Sequence, residues 1–258
     1  MKKLICLYFL LIPFMSFAQN KVEASRIIEQ VNRGEAVSYQ NTEITGDLDF
    51  TRLQNMKVER NSEEHSDKTA VSTVKSPLRF SNCRFTGDVR AYAGSDNNYS
   101  WKQKEDTVFN ANFEEEVIFE NCVFENASAF KYSKFRKNVS FQKSVFKEEA
   151  LFKYSKFATG PNFSNVNFEE GANFKYTDFP KGVTFAGVSF KEAASFKYAK
   201  FNEGVNFKNA SFNRNADFKY TQFSQPLDLG GVSFSGDEDF KYAKVDGKAF
   251  TSYLLNNR

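Results

Sequence analysis

The side chains best suited to chemistry are few, and most stand apart from one another. Among 258 residues there is one histidine, His65, set in the charged stretch "NSEEHSDK". A metal centre needs clustered His, Cys or carboxylate ligands, and His65 has no such company in the sequence. Neighbouring carboxylates occur at Glu63-Glu64, Glu115-Glu116 and Asp237-Glu238, where they read as ordinary surface charge. No Gly-rich phosphate loop or nucleophile motif is present. The sequence therefore predicts no enzyme, no cofactor and no metal site. Cys83 and Cys122 remain, in the similar segments "FSNCRF" and "FENCVF".

Aromatic residues offer a different chemistry. The tripeptide Phe-Lys-Tyr begins at Phe130, Phe152, Phe174, Phe196, Phe218 and Phe240, always 22 residues apart. Its tyrosines, from Tyr132 and Tyr154 onward, form either a flat strip for a glycan or protein, or a structural ladder. Cross-strand pairs contribute roughly 0.2–1 kcal/mol each, enough to account for a ladder without any ligand, so the structural reading is preferred. The lysines read as a solvated face of mixed charge, because Glu148, Glu149, Glu169, Glu170 and Glu192 lie around the next corner. A basic stripe for an anionic polymer is the less favoured reading.

The elements that position these residues follow from spacing. From Phe113 to Phe223 the phenylalanines recur in alternating steps of six and five. Two residues before each stands a small or β-branched residue, such as Ala150, Ser155, Ala172 or Thr177. Side chains two apart on extended chain point the same way, so both face inward. A helix would need apolar spacings of three and four. Alternating fives and sixes fit a chain that turns a corner at each step, four corners making one coil of 22 residues. Coils this short bury their cores only by stacking.

The pattern small-x-Phe-x-x resembles the pentapeptide-repeat family, in a variant with a sixth residue at alternate corners. It spans about Tyr39 to Val245. The resemblance implies an all-β fold, a right-handed quadrilateral β-helix (a solenoid of about eight coils). Some members of that family mimic DNA and inhibit topoisomerase, which needs a strongly acidic surface and a cytoplasmic address. This sequence predicts neither.

Carried upstream, the register stacks Phe50, Ala91 and Phe130, and likewise Ile44, Phe85 and Phe124. Two insertions then leave the same corner in adjacent coils, near residues 54–73 and 93–108. They carry His65, Tyr99 and Trp101, with Tyr92 at the edge of the second. If a ligand or partner surface exists, the sequence places it on these loops and on the first rungs, Tyr132 and Tyr154. Otherwise the loops are tolerated insertions. The same register puts Cys83 and Cys122 in equivalent inward slots of neighbouring coils. That spacing suits a disulfide, and suits two buried thiols equally.

The ends complete the reading. Residues 1–18 have a basic start, an apolar run and a small-residue cleavage site, as in a secretory signal peptide. Cleavage after Ala18 leaves 240 residues and, with Lys2 and Lys3 gone, a net charge of +1 in place of +3. Such a balance argues against a nucleic-acid partner. Residues 19–36 predict a capping helix, with a capping box from Asn20 to Glu23, an apolar face of Ala24, Ile27, Ile28 and Val31, and Gly34 at its end. The β-helix occupies residues 37–250, and a tail of 251–258 either folds over the last coil or joins a homodimer. No membrane span is expected in the mature chain. The function expected is a non-catalytic, exported structural or protein-interaction module, periplasmic, cell-surface or secreted. Carbohydrate or envelope-polymer binding is the alternative.

Overall fold

The computed structural model describes residues 20–59, 68–94 and 107–256. Most strands are only two residues long, because a corner follows each one. Strands of successive coils pair in parallel with a register shift of 22, for example Phe124 with Phe146 and Phe146 with Phe168. Three sides of the coil form sheets of nine, eleven and eight strands. The fourth is a four-stranded and a three-stranded ladder, joined by single bridges from Ser140 to Asn162 and from Asn162 to Thr184. The eight-stranded side, from Leu48–Asp49 to Glu238–Asp239, counts eight coils.

The core is one continuous column of phenylalanine. Phe174 stacks on Phe152 and Phe196 with centroids 5.0 Å away in each case, the rings nearly parallel. Around the axis it meets Phe163 and Phe185 edge-on, both at 5.4 Å. Both arrangements suit the ring quadrupole, which disfavours an eclipsed sandwich. The small slots are not merely small. Ser155 Oγ donates to the Phe130 carbonyl at 2.7 Å, Thr177 to Phe152 at 2.9 Å and Thr221 to Phe196 at 2.8 Å. Each hydroxyl thus ties its coil to the one before.

The five-residue steps turn through hydrogen-bonded corners. The Ser133 N–H donates to the Phe130 carbonyl at 3.1 Å, enclosing Lys131 and Tyr132. Tyr132 takes a φ of 62°, and Tyr154, Tyr176, Tyr198, Tyr220 and Tyr242 lie between 57° and 63°. This is the position of a type II turn that asks for Gly or Asn. The opposite corner uses those residues at Asn121, Asn165, Gly187 and Asn209, with Lys143, at a φ of 58°, the exception. A left-handed L-residue costs about 1–2 kcal/mol, so the tyrosine stack must offset strain at every rung. Tyr176→Ala keeps the strain and loses the stack, and should destabilise by about 1 kcal/mol. Tyr176→Gly loses the stack but relieves the strain, and should melt above the alanine variant in urea. The order reversed would disprove this account of the turn.

The first end is closed differently from the expected capping box. Asn20–Glu23 is a strand, paired in parallel with Thr42–Thr45. Helix α1 (Ala24–Asn32) begins only after it, and Glu23 makes no side-chain cap bond. The Glu23 carboxylate instead accepts a hydrogen bond from Thr45 Oγ1 at 2.8 Å. Ladder bonds to the first coil outcompete helix capping at these four residues. Ala24, Ile27 and Val31 enter the core, and Gly34 closes the helix with a φ of 73°. At the other end helix α2 (Phe250–Asn256) folds across the last coil. Phe250 stacks on Phe240 at 4.2 Å, and Tyr253 donates its hydroxyl to the Leu227 carbonyl at 3.0 Å. Leu254 and Leu255 stay exposed.

Candidate interaction surface

Both insertions begin as hairpins on the eleven-stranded side. Lys57–Glu59 returns antiparallel along Lys68–Val74, and Tyr92–Ala93 along Thr107–Phe113. The two long strands pair in parallel over seven residues, from Lys68 with Thr107 to Val74 with Phe113. The hairpins therefore stack as the coils do and widen one sheet sideways. Asn55 holds the first in place, its side chain donating to the Thr73 carbonyl at 2.7 Å and accepting from the Thr73 N–H at 3.0 Å. His65, Tyr99 and Trp101, named as contact residues from sequence, lie outside the described residues.

Tyr92 is not a surface residue as the sequence suggested, being only 1% exposed. Hairpin pairing turns its ring under the first lysine of the repeat. Lys131 Nζ donates to the Tyr92 hydroxyl at 3.1 Å and sits 4.5 Å from the Tyr92 ring centre. Tyr92 thereby becomes the base of the tyrosine ladder, 5.8 Å from Tyr132. Above it the rings stack face to face, Tyr132 on Tyr154 at 5.1 Å and Tyr154 on Tyr176 at 4.7 Å. Further lysines of the repeat lie over the ladder, Lys153 at 5.1 Å from the Tyr154 ring and Lys197 at 5.4 Å from that of Tyr198. Spacing predicts the ladder, but not that Lys131 is buried, because that depends on a hairpin inserted 39 residues earlier.

A second lysine column runs beside the first on the eleven-stranded side. Its rungs are Lys134, Lys156, Asp178, Lys200, Gln222 and Lys244, in register from coil to coil. The four lysines are exposed. The signal for this column was in the sequence, in the lysine that follows four of the six Phe-Lys-Tyr-x segments.

Cys83 and Cys122 are free thiols in the structure, both buried. The disulfide considered from spacing is not formed. Cys122 Sγ donates to the Phe80 carbonyl at 3.5 Å, the bond that Ser144 Oγ makes to Phe119 one coil on. The thiols thus serve as slot-fillers of the Ser and Thr kind. The contact between them, and then burial, holds the Cys122 thiol far above its usual range. The partner thiol draws Cys83 down to about 7. Cys83→Ser should change stability by less than about 1 kcal/mol, because a hydroxyl already fills this slot in the Ser144 coil. A loss of several kcal/mol in urea melts would show a role the slot does not explain.

The stacked, uniform coils and their single aromatic core define a repeat solenoid. A family model of pentapeptide repeats, in nine copies, matches residues 109–156, 152–200, 174–222 and 185–233. The chain is a pentapeptide-repeat protein, and residues 109–233 are the array that shows it. No curated protein and no solved structure matches the chain.

Proposed function

We propose that this is a non-catalytic, exported module that works as a rigid spacer or docking rod. The observation that carries this reading is the single buried cluster that runs without a break from Ala24 in the first cap to Phe250 in the last. Eight coils at about 4.8 Å each make a rod about 40 Å long. The pentapeptide-repeat family supports the coarser part, a repeat protein serving interaction rather than catalysis. The first 18 residues support export.

A neutral-glycan platform on the tyrosine ladder is not favoured. Such platforms lay a sugar on an exposed ring face, whereas Tyr154, Tyr176, Tyr198 and Tyr220 have ring neighbours on both faces. The test is capture of partners from envelope extract by the mature chain, beside a variant lacking residues 60–67 and 95–106. A partner held by the whole chain supports the docking reading, and its loss from the variant would assign the contact to those two segments. Turnover of an envelope substrate by the purified chain would overturn it.

A further inference from the structure

We infer that the paired lysine columns are a docking strip for a linear polysaccharide carrying one carboxylate per sugar. The inference rests on reading the rod as an interaction module, and names the chemistry of its partner.

Charge placement is the starting point. On the nine-stranded side, cations meet carboxylates one coil away: Lys21 with Glu43 at 2.9 Å, Lys147 with Glu125 at 2.9 Å and Lys191 with Glu169 at 2.8 Å. The eleven-stranded side does not follow this rule. Lys134 and Lys156 stand directly in register, and like charges so placed are destabilising. Among the described residues Lys134, Lys156, Lys200 and Lys244 form no ion pair. The lone acid of their column, Asp178, accepts from Asn202 Nδ2 at 2.8 Å. On the neighbouring turn column Lys219 reaches Asp239 at 3.3 Å and Asp217 at 3.9 Å, both on the adjoining side.

Lysine on a strand often guards an open sheet edge. These strands are interior, each bonded to a strand on both sides (for Lys244 the second is the antiparallel return Lys248–Ala249), so that purpose does not apply. The five turn lysines from Lys153 to Lys241 and the four strand lysines, set against Asp178, give the strip a charge of +8. The whole chain is only +3, which leaves −5 for everything else. The rod is therefore electrically one-sided.

The polymer's chemistry follows from pitch and from the rings. Rungs repeat at about 4.8 Å, about the length of one sugar unit. A chain with one carboxylate per sugar can thus present a charge at each rung. The tyrosine edges beside the columns add hydroxyls to meet sugar hydroxyls. Single-stranded nucleic acid fits less well, because its bases bind by stacking on open aromatic faces, and the ladder uses its faces internally.

The experiment measures binding of the mature chain to polygalacturonate, with dextran, a single-stranded oligonucleotide and phosphatidylglycerol vesicles as parallel arms. Binding to polygalacturonate but not dextran is expected, weakening as salt rises. A triple variant, Lys156→Glu, Lys200→Glu and Lys244→Glu, should lose at least about tenfold in affinity. A control with the same net charge, Lys143→Glu, Lys208→Glu and Arg214→Glu, alters other sides of the rod and should stay within about twofold. Equal losses in both variants, or equal binding to oligonucleotide or vesicle, would overturn the proposal. Absence of polygalacturonate binding while envelope partners are still captured would sink this strip and leave the docking rod standing.

Discussion

Phe174→Ala is expected to destabilise the protein by about 3–5 kcal/mol, the usual cost of removing a fully buried ring. Phe174 is 0% exposed and has six ring neighbours: two along the stack, two edge-on across the axis, and Phe168 and Phe179 at 6.0 and 6.4 Å. The coil cannot collapse into the hole, because its corners are pinned by backbone bonds to the coils on either side. The Phe174 N–H, for example, donates to the Ser195 carbonyl at 2.7 Å. Urea melts of this variant beside Tyr176→Ala measure the difference between axis and surface. If the tyrosine change proves the worse, the inward and outward assignment of the repeat fails.

Gly160→Ala should cost about 3 kcal/mol, at the upper end for overpacking. Gly160 lies at a six-residue corner where the next coil crosses closely, and an added Cβ would overlap the Gly182 carbonyl oxygen. The obstacle is backbone, so no rotamer change relieves it. The strain falls beside the single bridges through Asn162, the thinnest pairing in the coil. Gly171→Ala is the control, since its Cβ would meet nothing nearer than 4.0 Å and should shift stability by no more than about 0.5 kcal/mol. Equal melting of the two variants would show that the coils separate freely at this corner.

The coil was legible in the sequence because one residue type fills one slot at fixed intervals, as Phe141, Phe152 and Phe163 do here. Periodicity reports which side chains share an environment. It is silent on backbone sign, so the left-handed tyrosines escaped it, although Asn165 and Asn209 at the opposite corner signal such a turn. Asn20–Glu23 misled for another reason. A capping box is a local signal, and pairing with Thr42–Thr45 is a non-local one that prevailed. Tyr92 was misplaced because its burial depends on the return of Thr107–Phe113, beyond the insertion. The strand lysines were in plain view, but only the sheet register shows Lys134 set directly against Lys156.

The hydrogen bonds between coils each cross one boundary, and each boundary repeats the geometry of the last, as Ala150 to Ala172 and Ala172 to Ala194 show. The rod's length is therefore quantised. Excising Phe174–Ser195 would join Asn173 to Phe196, whose own predecessor Ser195 is the register partner of Asn173. Every remaining joint would keep its form, and the molecule would shorten by one rung of about 4.8 Å. A gene for such a chain can lengthen or shorten its product by duplicating or dropping whole rungs without redesigning a core. A cell could set the distance between two docked partners in this way, as on a ruler cut only at its graduations.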